Sequence, residues 1–102
     1  MAVIPPSFRK LQYVFAVAEE RHFGKAAERL HVDQSHISRE VKALEREFEF
    51  ALFTRANHFV AITEEAAPFI IDVEQALDRF VAEFERAQRL ARLRARDREH
   101  RE

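Results

Sequence analysis

The 102-residue chain has no cysteine and no tryptophan, a single glycine, a single methionine and three prolines. Without cysteine it can form no disulfide, no thiolate metal site and no cysteine nucleophile, which suits a reducing compartment. One glycine is too few for a chain built on tight turns and sheet corners, so a mainly helical fold is expected. Its apolar runs are far shorter than a membrane span, and the N-terminus has no signal-peptide pattern. The expectation is a cytoplasmic protein with no membrane partner. A surplus of one charge is also missing: 17 Lys and Arg stand against 18 Asp and Glu, a formal net charge of −1. Residues 1–60 hold nine basic and eight acidic side chains. Any attraction to a polyanion must therefore come from a local basic face, and non-specific binding should be weak.

What the chain does have is ten phenylalanines, enough bulky apolar surface for a core at this length. Pro5-Pro6-Ser7 reads as an extended lead-in with a helix cap. Phe8, Leu11, Val14, Phe15 and Ala18 follow at helical spacing, predicting an amphipathic helix that ends near Arg21. His22-Phe23-Gly24 interrupts the pattern. A second helix is expected from about Lys25 to Leu30, with Ala26, Ala27 and Leu30 inward. Asp33 is placed to cap a third helix. There Ile37, Val41, Leu44 and Phe48 form a buried stripe, and Gln34, Ser35, Ser38, Arg39 and Lys42 an exposed face.

Phe50 to Ile62 reads as a small β-hairpin, a wing with Asn57 and His58 near its tip. Thr63 is placed to cap a last, long helix, with Glu64 and Glu65 favoured at its positive end. Pro68 in its first turns predicts a bend or a late start. Ala66, Ile70, Val73, Leu77, Phe80, Phe84, Ala87 and Ala91 alternate spacings of four and three, a heptad seam for pairing with another helix. Residues 94–102 are charged, have no apolar face and are expected to fray.

A short helix, a tight turn and a second helix opening with Gln, Ser and Arg form a tool that can enter a DNA major groove. Gln34 can bond adenine N6 and N7 bidentately, and Arg39 guanine O6 and N7. Ser38 lies one turn from Gln34 on the same face. Ser35 and His36 occupy the first turn, near the strand backbone. Lys25, Arg29, Lys42 and Arg55 are candidates for phosphate contacts, which set register but carry little sequence information. For Arg55 an internal ion pair within the wing is an equal alternative. Taken alone, the polar face of the third helix also fits an ordinary solvated surface.

The order and spacing of these pieces decide between the two. Leu11-Gln12-Tyr13-Val14-Phe15-Ala16-Val17-Ala18-Glu19-Glu20 is followed by Phe23 and Ala26-Ala27-Glu28-Arg29-Leu30. Then come Val32, Gln34, Ser38-Arg39, Val41, Leu44-Glu45, Leu52-Phe53 with Arg55, and Ile62-Thr63-Glu64. This segment resembles the N-terminal winged helix-turn-helix domain of LysR-type transcriptional regulators. The resemblance implies base or backbone contacts at Gln34, Ser35, Ser38 and Arg39. It also implies a linker helix that pairs with a second copy, usually antiparallel. Departures are Gly24 for a capping Ser or Thr, Ser35 for a proline, Glu49 for a helix-ending glycine, His58 for an arginine of the wing, and Glu65-Ala66 for Ala-Gly.

The expected organisation is a winged helix-turn-helix domain over residues 7–62, a linker and dimerisation helix over 63–93 and a charged tail over 94–102. The dimer seam is expected at Ile70, Val73, Leu77, Phe80, Phe84 and Ala87, making a homodimer or higher oligomer that binds double-stranded DNA. The family's effector-binding domain is missing from these 102 residues. They are either a piece cut from a longer chain or a natural short form, and the charged end favours a natural terminus. The competing function is an interaction protein that pairs through the linker helix with a full-length regulator and modulates it. No nucleophile–base set supports an enzyme. His22, His31, His36, His58 and His100 lack ligand spacing, so neither metal nor cofactor is expected.

Overall fold

The computed structural model describes residues 6–56 and 59–100. Asn57 and His58, the expected wing tip, lie outside the described residues. In chain order the elements are α1 (Phe8–Glu20), α2 (Phe23–Leu30), α3 (Gln34–Phe48), β1 (Phe53–Ala56), β2 (Phe59–Ile62) and α4 (Ala67–His100). The class is mainly helical with a two-stranded antiparallel wing, as the sequence predicts. Two compact units divide the chain, Met1–Ile70 and Ile71–Glu102.

The first unit is a helical head. Leu11, Val14, Phe15 and Val17 of α1, Ala26 and Ala27 of α2, and Ile37, Val41 and Leu44 of α3 are buried together with Leu52 and Val60. Phe8, expected on the inner face of α1, is instead 41% exposed. It is the first residue of the helix, where the chain has only begun to follow the core. Ser7 caps α1, its Oγ accepting from the Lys10 amide at 3.3 Å.

The start of α2 differs from expectation. It begins at Phe23, and His22 rather than Gly24 holds the cap position, Nδ1 accepting from the Lys25 amide at 3.0 Å. A ring nitrogen thus does the work of a Ser or Thr hydroxyl, and Gly24 lies inside the first turn. The cap of α3 differs too. Asp33 has the extended cap conformation but its carboxylate makes no capping bond; its backbone carbonyl accepts from the His36 and Ile37 amides instead.

All three short helices end on a non-glycine residue with left-handed backbone: Arg21 (φ 53°), His31 (φ 57°) and Glu49 (φ 63°). At Glu49, where the resemblance leads one to expect glycine, the turn is kept and the amide donates to the Glu45 carbonyl at 2.9 Å. The side chain is tolerated there at a steric cost.

The strands pair in the register Phe53↔Ile62, Thr54↔Ala61, Arg55↔Val60, Ala56↔Phe59. Glu45 of α3 anchors the hairpin. Its half-buried carboxylate accepts from the Leu52 amide at 2.7 Å and from the Phe53 amide at 3.4 Å. Glu45 therefore ties the wing to the third helix. Thr63 closes the other end: its hydroxyl donates to the Ala51 carbonyl at 2.6 Å and accepts from the Ala66 amide at 3.2 Å.

Thr63 thus caps a turn over residues 64–66, and α4 starts at Ala67. The start is late, with Pro68 in the first turn, where its missing N–H needs no helical partner. Ile70, expected on the dimer seam, is only 3% exposed and belongs to the head. A side chain already covered within its own domain has no surface left for a second copy, so Ile70 is removed from the seam.

The described residues of the second unit are helical throughout. Residues 94–100, expected to fray, continue α4 to His100. Ala, Arg and Glu are strong helix formers, and this intrinsic preference substitutes for the absent apolar face. Among the described residues no helix is long and apolar enough to cross a membrane.

Two stability changes are expected. Glu45→Ala leaves two strand amides without their acceptor and should cost about 1–3 kcal/mol. The loss should appear in denaturant unfolding and as faster exchange of the Leu52 and Phe53 amides. Glu49→Gly relieves a side chain in the left-handed region and should add about 1 kcal/mol. A lower unfolding midpoint for Glu49→Gly would contradict the strain ascribed to this position.

Candidate nucleic-acid interface

The turn between α2 and α3 is built by backbone bonds. The His31 amide donates to the Glu28 carbonyl at 3.2 Å and the Val32 amide to the Ala27 carbonyl at 3.0 Å, the pattern of a left-handed helix stop. Asp33 then turns the chain into α3. Burial sets the rotation of that helix: Ile37, Val41 and Leu44 are 0% exposed. On the opposite side Gln34, Ser35, Arg39 and Lys42 are exposed and Ser38 is half-buried. The four side chains expected to read bases thus share the outer side of one helix, with Lys42 continuing it.

Gln34 also lies close to α2. A Cβ on Gly24 would stand 3.3 Å from Gln34 Oε1 and 2.9 Å from His22 Cε1. The only glycine of the chain therefore gives room for the capping ring and for the amide of Gln34. Arg39 borders an open polar hollow of about 630 Å³ with Glu28, His31, Asp33 and His36.

The expected phosphate contacts divide. Lys25 and Lys42 are exposed, and none of the ion pairs among the described residues involves them. Arg29 is occupied. Its guanidinium donates to Glu19 at 2.6 Å and Glu20 at 3.4 Å. The hydrogen bond and charge of Glu19, followed by those of Glu20, hold it above its ordinary pKa. Arg29, expected as a backbone contact, here ties α2 to α1 through these two exposed carboxylates.

His36 is half-buried rather than open on the first turn. It shares a hydrogen bond of 3.3 Å with the Tyr13 hydroxyl, and the two rings meet edge to face at 5.6 Å. Arg55 takes a partner that neither sequence alternative named: its guanidinium lies 4.3 Å from the centroid of the Phe23 ring. Phe23 in turn meets Phe53 edge to face at 6.2 Å, so a cation–π stack joins the wing to the start of α2. Sequence reasoning missed Tyr13, His22, Gly24 and Glu45 as residues that position this surface. Only the matching capping position offered a local signal, and it pointed two places away, at Gly24 where His22 is the cap. Among the described residues no group of three or more His, Cys, Asp or Glu could hold a metal ion.

Comparison with known proteins agrees with this geometry. The family model described as bacterial regulatory helix-turn-helix protein, lysR family, matches residues 8–67. The HTH-type transcriptional regulator AlsR of Bacillus subtilis (strain 168) is 44% identical over 84 residues, 82% of this chain and 28% of that protein. The HTH-type transcriptional regulator ClcR of Pseudomonas putida is 41% identical over 70 residues, 69% of this chain and 24% of that protein. This chain therefore spans about a quarter of the length of these relatives. Among solved structures, a complex of the CbnR DNA-binding domain with DNA matches with a TM-score of 0.76 and 32% identity, covering 84% of this chain and 99% of that one. The crystal structure of CbnR, a LysR family transcriptional regulator, matches with a TM-score of 0.74 and 32% identity over 81% of this chain and 29% of that one. With its helix-turn-helix, wing and long helix in family order, this chain belongs to the LysR family of bacterial regulatory helix-turn-helix proteins and carries that family's DNA-binding domain.

Proposed function

We propose that the chain is a sequence-specific transcription regulator that acts in the cytoplasm as a homodimer, with α3 in the major groove of double-stranded DNA. The observation that carries this reading is the division of α3 into a buried apolar stripe and an outer polar face of Gln34, Ser35, Ser38 and Arg39. Gln34 and Arg39 read base edges, and Ser35 and Ser38 contact a base edge or the adjoining backbone. Lys25, Lys42 and Arg55 neutralise phosphates. His36, turned toward Tyr13, supports the first turn of α3.

The second unit supports the dimer. Phe80 is 63% exposed and Phe84 57%, costly in water for side chains of this size unless another surface covers them. The seam runs through Val73, Leu77, Phe80, Phe84, Ala87 and Ala91. Charge sets its direction. Residues 71–85 carry Asp72, Glu74, Asp78, Glu83 and Glu85 against Arg79, whereas residues 86–99 carry Arg86, Arg89, Arg92, Arg94, Arg96 and Arg98 against Asp97 and Glu99. A parallel pair would lay acid on acid and base on base; an antiparallel pair lays acid on base. Centred between Phe80 and Phe84, the antiparallel pair also sets large against small, Leu77 against Ala87 and Val73 against Ala91.

Selection of duplexes from a random pool with the purified chain, followed by anisotropy titration at two salt concentrations, tests the reading. Failure to bind any duplex at low salt would reject it in favour of a protein-interaction role. On a selected duplex Arg39→Ala should cost about 1–3 kcal/mol and relax preference at one base pair. Lys42→Ala should weaken selected and random duplexes alike and lower the salt slope by about one, whereas Arg29→Ala should leave that slope unchanged. Equal losses on selected and random DNA would remove Arg39 from the base readers. Phe80→Glu with Phe84→Glu should give a monomer by light scattering, and an unchanged mass would refute the seam.

A further inference from the structure

Gly24 has no conformational reason to be glycine. It lies in the first turn of α2 and its φ is not positive. Glycine is the poorest helix former after proline, so alanine would serve this helix better. What a side chain would cost here is space. A Cβ at this position would stand 2.9 Å from His22 Cε1, 3.2 Å from His22 Nδ1 and 3.3 Å from Gln34 Oε1.

The two neighbours differ in origin. The His22 ring is the cap of α2 itself, its Nδ1 accepting from the Lys25 amide. Gln34 belongs to α3, and its side-chain carbonyl reaches across to the first turn of α2. His22, Gly24 and Gln34 border one open hollow of about 280 Å³ together with Arg55 of the wing. A methyl group on Gly24 would displace the Gln34 amide by a few tenths of an ångström. A bidentate contact with adenine needs Oε1 in line with N6 and Nε2 in line with N7 at once. Such a displacement therefore costs discrimination between bases rather than attraction to the backbone.

We propose that Gly24 is a specificity-determining positioning residue. By keeping the first turn of α2 bare it sets where the Gln34 amide stands, and so which base pair α3 accepts at that place. The His22 ring makes the same demand on the space, so a bulky cap and a bare residue two places on belong together. This inference rests on the proposed DNA-reading function.

The test uses the full chain, a duplex that the unaltered chain has selected from a random pool, and copies of it changed at one base pair each. His22→Ser keeps a capping oxygen and withdraws the ring, leaving Gln34 as the neighbour that a new methyl group meets. In that background Gly24→Ala should reduce preference about fivefold at one base pair, the one at which Gln34→Ala also loses preference. Affinity for random duplexes and the salt slope should not change. The thermal midpoint should hold or rise, because alanine replaces glycine in a helix. In a Gln34→Ala chain the same substitution should leave base preference as it is. Gly24→Ala alone, with His22 in place, should move preference at the same base pair. Unchanged preference in both backgrounds would overturn the proposal. So would a change seen only with the ring present, which assigns the effect to the cap, or equal losses on every duplex, which mark a backbone contact. An effect that persists without the Gln34 amide would overturn it too. If the unaltered chain selects no duplex, the functional reading falls as well; if it selects one and Gly24→Ala selects the same, only the role of Gly24 falls.

Discussion

The rotational setting of α3 is the constraint on which the rest of the head depends. Ile37, Val41 and Leu44 are fully buried, and each contributes about 1.5–3 kcal/mol relative to an exposed position. Turning the helix by one residue would drive Ser38 or Lys42 inward and expose that stripe. The outward position of Gln34, Ser35 and Arg39 is therefore enforced by apolar residues of the core. Both ends of α3 are held independently: the left-handed stop at His31 sets where it begins, and the left-handed Glu49 where it ends.

The wing depends on the same helix. Glu45 projects from α3 and holds the first residues of the hairpin through their amides, so the outer polar face of α3 and the wing share one rigid element. The stack of Arg55, Phe23 and Phe53 adds a second attachment to α2.

Charge in this chain is a matter of placement. The formal total is close to zero, yet the head leaves Lys25, Lys42 and Arg55 outside the ion pairs of the described residues and uses Arg29 to join two helices. In α4 the acidic residues gather in the first half and the arginines in the second. A net charge read from composition hides both arrangements, because it sums groups that never act at the same place.

The amino-acid sequence by itself determined the helical class, the heptad spacing of α4, the hairpin, the turn that opens α3 and membership in a family. All of these rest on local spacing: apolar residues three and four apart, alternation within the wing, and motif order along the chain. Tertiary structure alone decided which polar groups meet. Tyr13 and His36 are separated by 23 residues and Arg29 and Glu19 by 10, and no periodicity encodes either pair. Ile70 fits the heptad as well as Val73 does, but the head covers it first. Glu45 sits on α3 like any surface glutamate until the hairpin folds back and presents its amides. Spacing reports which face a residue occupies, whereas the partner it finds there depends on which other segment packing brings to that face.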